Sequence, residues 1–465
     1  IGWCDWSSDV CSSDLPGDTF RLRLDLALEG EPDRTPVAIA VRAGRGGDRF
    51  DGFGGNFVYG LESPVATALV ARLNPVWARF EAALPEWEPE NDNETPDETD
   101  WARLEARDAP GSALRRRFEL AARLAAAGTP ICLSVWDLPD WLYLHQGRDR
   151  WRPGRRLDPA LWPEALECVT SYLLHLRKRY GVEPALFSFN EPEIGVRVLF
   201  SADEHREAIR RFGARFAALG LKTRLLAGDA ANPRGTESYG IFAVSDPAAL
   251  AHIGGVSFHA WGGATPGEYD AWPAFAGRFG LPLYCMELGL DPDVWKTPHE
   301  LDTPLYAMRE LTLIQELLAR ARPRAALVWQ YADNYPLLRA ARDEGDGWVL
   351  TETARFRFLE QLNRLTPRPA YALAAGASRP HVAVTAYRGG PGAARFVLHA
   401  ANAGAARPAV VSGVPEGIDQ LVWTRVGVLK PDAATALLPV TNGIASCELP
   451  AWSLVTLSAP PAPRP

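Results

Sequence analysis

The pattern of hydrophobic and polar positions changes twice along the chain. Residues 19–29 (TFRLRLDLALE) alternate between polar and apolar, and residues 36–43 (PVAIAVRA) repeat the alternation, which predicts two half-buried strands. From about residue 50, short apolar runs alternate with longer segments of helical period, a pattern typical of repeated βα units. After residue 365 short strands return, separated by Gly, Pro and Asn turns.

The middle region contains eight βα units. The predicted strands are 50–57, 76–82, 130–137, 185–192, 223–230, 254–261, 281–288 and 325–332. The predicted helices are 64–73, 113–127, 159–179, 202–219, 246–252, 268–279, 299–321 and 353–364. We therefore expect an α/β fold, a (β/α)₈ TIM barrel with a small antiparallel β-sandwich formed by the C-terminal region and the N-terminal strands.

The same patterns predict the domain boundaries. Residues 19–46 are expected to join the sandwich, 47–365 to form the catalytic barrel, and 366–459 to form the sandwich itself. The proline-rich end, 460–465, is expected to be a disordered tail. Residues 1–16 lack either periodicity and resemble translated adapter sequence from assembled environmental reads, so we exclude them from fold reasoning.

Composition excludes several classes of partner. The 465-residue chain has a net charge of −8, which argues against nucleic acid or an anionic membrane as the main partner. No apolar run reaches the ~18–20 residues of a membrane-spanning helix. Four cysteines stand alone, without metal-ligand spacing: Cys132, Cys168, Cys285 and Cys447. The acidic segment 86–100 reads as a solvated polar loop in preference to a metal site, so we expect neither a metal ion nor a cofactor.

Two carboxylates stand out because barrel enzymes carry their catalytic groups at the carboxyl ends of the strands. Asn190 and Glu191 close the fourth predicted strand in SFNEPE, and Glu287 ends the seventh in LYCMELG. Three βα units separate the two glutamates, which predicts that they face each other across the barrel mouth. Such a pair suits glycoside hydrolysis, and Arg79, a charge within the apolar run WARF, could keep one of them ionised. The alternatives are a surface charge at Glu191 and a structural ion pair at Arg79.

These motifs resemble those of the retaining (β/α)₈-barrel glycoside hydrolases of clan A, most closely family 30. The resemblance rests on DGFGGNF, SVWDLPDWL, SFNEPE, FHAW, CMELG, VWQYAD and LPAWSLVTLS, and it covers residues 19–459. It implies that Glu191 is the acid/base and Glu287 the nucleophile. It also implies that Asn190 binds the sugar 2-hydroxyl and that Arg79 holds the nucleophile.

The resemblance extends to His259 and to the aromatic residues near the strand ends. His259 matches the histidine of the strand-six motif, although a core histidine is nearly as good an interpretation. Trp329 would form a stacking floor for the sugar and Trp136 a second stacking surface, while burial in the core is the structural alternative. Trp261 stands where the clan has a tyrosine that bonds the nucleophile, and its indole N–H could donate in a similar way.

The sequence therefore predicts a retaining β-glycosidase that uses a two-carboxylate double displacement. The alternative is a non-catalytic carbohydrate-binding barrel that kept the scaffold. A metal-dependent barrel hydrolase is disfavoured because DGFGGNF lacks the His-x-His pattern on the first strand. The expected partner is a carbohydrate substrate, with no nucleic acid and no membrane-spanning segment. Substrates of this class favour secreted or periplasmic localisation.

Overall fold

The computed structural model describes residues 30–42, 47–96, 98–144, 154–332, 334–343, 347–390, 395–429 and 434–460. The strand expected at 19–29, the segment 1–16 and residues 461–465 lie outside the described residues. The chain divides into two units, Ile1–Asp33 and Arg34–Pro465. Of the first unit only residues 30–33 are described, and they hold no helix or strand. The second unit contains everything discussed below.

The secondary structure elements are numbered in chain order. The first strands are β1 (Val37–Arg42) and β2 (Arg49–Phe50), and the barrel strands are β3 (Gly52–Phe57), β4 (Ala78–Glu81), β5 (Ile131–Val135), β6 (Leu186–Phe189), β7 (Arg224–Ala230), β8 (Ile253–His259), β9 (Leu283–Leu288) and β10 (Ala325–Val328). The later strands are β11 (Leu338–Arg342), β12 (Trp348–Glu352), β13 (Ala370–Ala377), β14 (Val382–Gly389), β15 (Phe396–Asn402), β16 (Arg407–Ser412), β17 (Gln420–Gly427), β18 (Ala434–Pro439), β19 (Ile444–Leu449) and β20 (Ser453–Ser458). The helices are α1 (Pro64–Leu73), α2 (Leu84–Trp87), α3 (Trp101–Glu105), α4 (Ala113–Ala126), α5 (Trp162–Tyr180), α6 (Ala202–Ala218), α7 (Glu237–Ser245), α8 (Pro247–Leu250), α9 (Pro266–Arg278), α10 (Pro304–Arg320) and α11 (Ala354–Leu365).

Strands β3 to β10 form a closed parallel barrel, in which β10 pairs with both β9 and β3. Most strand positions are buried, because the barrel interior covers one face and the outer helices cover the other. The α/β fold class with a TIM barrel is therefore confirmed. Several helices match their predicted bounds closely, since their apolar positions recur at the helical period and a side chain caps the N-terminus, as Ser63 does for α1.

The first barrel strand needs glycine for close packing. A Cβ atom on Gly54 would lie 2.5 Å from the carbonyl oxygen of Trp77, and one on Gly55 would lie 2.8 Å from the ring of Tyr331. Neither distance is sterically possible without movement of the neighbouring strand or ring. The two glycines thus let the barrel close tightly around β3. The next residue of this strand, Asn56, directs its side chain into the barrel mouth, where it contacts Arg79.

The C-terminal strands form the sandwich together with β1. The sheet order is β18-β17-β20-β15-β14-β13-β1-β16-β19, and β13 pairs with β14 through its first half and with β1 through its second half. One shared core joins residues from near both ends of this order, including Leu421 of β17, Leu398 of β15 and Leu449 of β19. The sandwich is not antiparallel throughout, because β1 pairs parallel with β16. No hairpin connects these two distant segments, so nothing constrains them to run in opposite directions.

Several elements were missing from the sequence prediction. The short helices α2 and α3 follow β4, helix α7 precedes α8, and the hairpin β11–β12 follows the eighth barrel strand. The segment of α7, ESYGIFAVS, carries no clear apolar period, and Gly240 within it packs against Phe275. Among the described residues, no helix combines the length and apolar character needed to cross a membrane.

The outer helices α10 and α11 are joined by a buried ion pair. The guanidinium of Arg355 donates to both carboxylate oxygens of Glu310, each at 2.7 Å, and both side chains are almost fully buried. Helix α11 also contacts the sandwich, where the side-chain amide of Gln361 donates to the hydroxyl of Thr456 at 2.9 Å. These contacts hold the barrel against the sandwich.

Replacing Glu310 with glutamine should lower the free energy of unfolding by about 3–5 kcal/mol, because it leaves the charge of Arg355 buried without a counter-ion. Urea unfolding followed by tryptophan fluorescence measures this change. As a control, Asp270→Asn removes the half-exposed pair with Arg320 and should cost less than about 1 kcal/mol. Equal effects of the two substitutions would contradict the role assigned to burial.

Candidate active site

The barrel mouth gathers polar side chains from the carboxyl ends of the strands. Asn190 and Glu191 follow β6, Glu287 lies in β9, and His259 ends β8. All four side chains are buried. Each is placed there because its strand is otherwise apolar and ends at this face of the barrel.

Arg79, on β4, is the centre of the site. It is fully buried, and its Nη1 donates to Glu287 Oε1 at 2.6 Å, while its Nη2 donates to Asn190 Oδ1 and to Asp229 Oδ2, each at 2.8 Å. It also donates to Asn56 Oδ1 at 3.1 Å. Burial alone would lower the pKa of Arg79, but the charges of Asp229 and Glu287 raise it above its usual value. The guanidinium therefore stays charged and fixes groups from four other strands.

Asp229, near the end of β7, is a site residue that the sequence prediction missed. It is fully buried, and its Oδ1 accepts a hydrogen bond from the hydroxyl of Ser257 at 3.1 Å and lies 3.3 Å from His259 Nε2. Burial would raise the pKa of Asp229, but the charges of Arg79 and His259 hold it below its usual range. An aspartate at the end of the otherwise apolar run LLAGDA was a signal that could have found it.

His259 lies between the two candidate catalytic carboxylates. Its Nδ1 is 2.9 Å from Glu191 Oε1 and 3.4 Å from Glu287 Oε2, and its other nitrogen faces Asp229. Burial alone would lower the pKa of His259, but the charges of Glu287 and Asp229 and the hydrogen bonds with Asp229 and Glu191 raise it to about 10. The imidazole is thus a buried cation at neutral pH.

The backbone at Glu191 is strained. Its φ of 45° lies in the left-handed region, which residues other than glycine rarely adopt, and Asp229 on the next strand has a φ of 58°. The Glu191 N–H donates to the carbonyl of Asp229 at 3.0 Å. This bond holds the two strand ends together and turns the Glu191 side chain towards His259.

Glu287 accepts hydrogen bonds on both carboxylate oxygens. Arg79 donates to Oε1 at 2.6 Å, and the indole Nε1 of Trp261 donates to Oε2 at 3.0 Å. Burial raises the pKa of Glu287 and the charge of Glu191 adds to this, while His259 and Arg79 oppose the shift. Both close donors lack an acceptor atom, so the contacts suit the ionised carboxylate.

A carboxylate oxygen of Glu191 lies within 4.8 Å of one of Glu287, and a His259 nitrogen lies within the same limit of both. This triad would offer three ligand atoms to a metal ion only if the imidazole were neutral, because the protonated ring has no free lone pair. A cation here would, however, meet the guanidinium of Arg79, which contacts Glu287 directly. Charge repulsion therefore disfavours a metal ion at this place.

Comparisons with known proteins identify the fold. The structure is similar to a family 30 endoxylanase from Clostridium papyrosolvens C71, with a TM-score of 0.68 and 17% identity over 91% of this chain and 100% of that one. It is also similar to SrfJ from Salmonella typhimurium (TM-score 0.65, 16% identity, 94% and 95% covered). A third solved structure, an endo-β-1,6-glucanase, gives a TM-score of 0.60 at 14% identity, with 94% and 96% covered.

The fold is that of a clan A glycoside hydrolase, most like family 30. At these identities the similarity establishes the fold alone. No protein-family model matches the sequence, and a search of curated proteins found no match.

Beside the carboxylates, this family 30-like barrel carries a wall of aromatic side chains. Trp136 and Trp329 lie with ring centroids 6.1 Å apart, and Trp329 meets Trp261 edge-on at 6.2 Å. The guanidinium of Arg79 lies 4.3 Å from the ring centroid of Trp136. The three predicted tryptophans are thus brought together with the carboxylates, although each is only 7–8% exposed.

Two other tryptophans and one glutamate that follow barrel strands are placed differently. Trp87 is fully buried in the core, and its indole donates to Ser171, so it cannot reach a ligand. Trp295 is 53% exposed. Glu193 is half-buried, and its carboxylate accepts a hydrogen bond from the Ala231 N–H, which links the loops after β6 and β7.

The raised pKa of His259 predicts a dependence of stability on pH. A group whose pKa is higher in the folded state contributes stability that is complete below its unfolded pKa of about 6.5 and is lost as the pH rises through about 10. We expect the wild type to lose about 3 kcal/mol more between pH 7 and pH 10 than His259→Gln does. Urea unfolding of both proteins across this range tests the difference, and parallel curves would contradict the assigned pKa.

Proposed function

We propose that this protein is a retaining β-glycosidase that acts on a β-linked oligosaccharide, polysaccharide or glycoconjugate. The observation that carries the proposal is the pair Glu191 and Glu287, whose oxygens approach within 4.8 Å on facing strands of a family 30-like barrel. Retaining enzymes hold their carboxyl groups about 5–5.5 Å apart, whereas inverting enzymes need about 6.5–9.5 Å for an intervening water. The close approach favours double displacement.

In the first step a carboxylate oxygen of Glu287 attacks the anomeric carbon. The bond from that carbon to the leaving oxygen breaks, and Glu191 gives its proton to the leaving oxygen. The hydrogen bonds from Arg79 and Trp261 keep Glu287 ionised and oriented. They also prevent rotation of the carboxylate, so the attacking oxygen is held at a fixed position.

In the second step water attacks the anomeric carbon of the glycosyl-enzyme. Glu191 removes a proton from the water, and the bond to Glu287 breaks, which restores both carboxyl groups. His259 contacts Glu191 Oε1 at 2.9 Å, so Oε2 is the oxygen that serves the leaving group and the water. The proton returns to Glu191 at the end of the cycle.

The substrate is bound by polar and aromatic groups around this pair. Asn190 uses its carbonyl oxygen on Arg79, which leaves its amide group to donate to the sugar 2-hydroxyl. Trp136 and Trp329 offer apolar surfaces to the sugar ring. Among proteins of similar fold are an endoxylanase and an endo-β-1,6-glucanase, so xylan and β-glucans are the first substrates to test.

Stereochemistry and azide rescue test the proposed roles. On 4-nitrophenyl β-glycosides, xylan and β-glucan we expect products of retained configuration by NMR. Glu287→Ala should abolish turnover, and azide should restore it with an α-glycosyl azide as product, because azide fills the space of the nucleophile. Glu191→Ala should slow hydrolysis by about 10²–10⁴-fold, and azide should then give the β-glycosyl azide.

Glu119→Ala, at an exposed position on α4, is the matched control and should leave activity unchanged. Undiminished turnover by Glu287→Ala would refute the assignment of the nucleophile. A wild-type protein that folds and binds glycans yet hydrolyses none of this panel would favour a carbohydrate-binding barrel instead.

Removing the indole donor tests how Glu287 is positioned. Trp261→Phe keeps an aromatic ring but loses the 3.0 Å hydrogen bond to Glu287 Oε2. Since a hydrogen bond to a charged group contributes about 1.5–3 kcal/mol, kcat should fall by about ten- to a hundredfold. The acidic limb of the pH–rate profile should move to higher pH, because the ionised carboxylate loses a donor.

The matched control is Trp272→Phe. This buried indole donates to the carbonyl of Pro233 at 3.3 Å and takes no part in the carboxylate network. Its loss should reduce stability without moving the pH–rate profile. A profile that stays in place for Trp261→Phe would show that its indole does not act on Glu287.

A further inference from the structure

The acidic loop between β4 and α4 contributes to a second group of carboxylates, outside the candidate active site. Oxygens of Glu88, Asp92 and Glu167 all lie within 4.8 Å of one another. Glu88 follows α2, Asp92 lies in the loop, and Glu167 is on α5. The solvated loop expected from the sequence is therefore incorrect at its start, where Glu88 is fully buried.

The buried carboxylates of this cluster lack the partners that normally accompany such groups. Neither oxygen of Glu88 and not Oε2 of Glu167 has a partner at normal hydrogen-bond distance and angle. Glu88 makes only weaker contacts, with Cys168, the backbone of Asp92 and the Glu167 carboxyl group. Glu167 is 2% exposed and Glu88 is 0% exposed. Among the described residues, no Arg, Lys or His forms an ion pair with any of the three. A buried carboxylate without a partner is costly, so proteins usually pair it or use it to coordinate a metal ion.

The other oxygens of the cluster are held in place by the loop itself. The Thr99 hydroxyl donates to Glu167 Oε1 at 2.7 Å, and the Asp100 N–H donates to Asp92 Oδ2 at 2.6 Å. The Asn93 side-chain amide donates to Asp92 Oδ1, so the loop binds both oxygens of Asp92 and one oxygen of Glu167. The oxygens of Glu88 and the second oxygen of Glu167 remain available. Glu164, one turn before Glu167 on α5, adds another buried carboxylate oxygen without a partner.

We propose that Glu88, Asp92 and Glu167 bind a Ca²⁺ ion that fastens the acidic loop to α5. Ca²⁺ is coordinated by oxygen at about 2.3–2.6 Å, so two of its ligands can lie up to about 5.2 Å apart, which accommodates the observed spacing. The three ligating side chains offer only oxygen, which disfavours Zn²⁺. Mg²⁺ keeps several of its waters, which the buried position of Glu88 does not favour.

The same ion would also restrain a loop at the edge of the candidate active site. The indole of Trp141 donates to the carbonyl of Glu88 at 3.0 Å, and Trp141 belongs to the loop after β5 that also carries Trp136. A Ca²⁺ ion bound by the Glu88 side chain fixes the position of that carbonyl. It thereby restrains the loop after β5 without contact with the reacting atoms.

Calorimetric titration of the EGTA-treated, full-length protein with CaCl₂, and separately with MgCl₂, tests this site. We expect one Ca²⁺ per chain, weaker binding of Mg²⁺, and a higher thermal midpoint in Ca²⁺ than in EGTA. The loop 89–100 should also be cleaved more slowly by protease when Ca²⁺ is present. These measurements do not depend on glycosidase activity. A negative result would therefore overturn the Ca²⁺ site and leave the proposed function unaffected.

Two variants identify the ligands. Glu88→Gln and Glu167→Gln keep the side-chain shape but remove a charge, and each should weaken Ca²⁺ binding at least tenfold. In EGTA, Glu88→Gln should be at least as stable as the wild type, because it removes repulsion between buried carboxylates. Glu90→Gln, at an exposed position of the same loop, is the matched control and should bind Ca²⁺ normally.

Other results would overturn the proposal. If CaCl₂ changes neither the calorimetric heat nor the thermal midpoint, the carboxylates share protons and do not bind a cation. If Ca²⁺ binds equally well to both glutamine variants, the ion occupies another place. Tighter binding of Mg²⁺ than of Ca²⁺ would refute the choice of metal.

Discussion

The buried guanidinium of Arg79 is the interaction on which the geometry of the candidate site depends. Its hydrogen bonds reach Asn56, Asn190, Asp229 and Glu287, each near the end of a different barrel strand. A charge with no exposure to solvent is stable only where counter-ions and acceptors surround it. The position of each acceptor is therefore coupled to the position of the others through one rigid planar group.

The buried charges at the barrel mouth compensate one another, because cations and anions are in direct contact. Arg79 and His259 are cations, and they lie between the anions Asp229 and Glu287. Asp229 contacts both cations, so it controls the orientation of the two groups that in turn hold Glu287 and Glu191. An enzyme of the proposed kind needs two carboxyl groups with different proton affinities in one small space. The fixed cations Arg79 and His259 beside Glu191 and Glu287 are one way to establish this difference in proton affinity.

The sequence predicted the parts of the site that follow from chain periodicity. Glu191 and Glu287 were expected on facing strands because the βα repeat counts three units between them, and the structure brings their oxygens close together. The aspartate within the apolar run LLAGDA marks Asp229 as unusual, but the strand pattern does not show that it forms ion pairs with Arg79 and His259 across the barrel. The burial of Glu88 was also missed, since the acidic composition of its loop predicted solvent exposure. The burial of Glu88 depends on packing against α5, which is distant in the sequence, and a local sequence pattern cannot reveal such packing.

The tryptophan at position 261 shows how a departure from the clan pattern can keep the same contact. Its indole N–H reaches Glu287 as the phenol of a tyrosine would, but the indole carries a second ring that needs space. A Cβ atom on Gly289 would lie 2.2 Å from that ring, which no real structure tolerates. The glycine two residues after Glu287 is therefore what makes room for the indole. The two positions are linked, because any larger residue at 289 would push Trp261 away from the carboxylate that it orients.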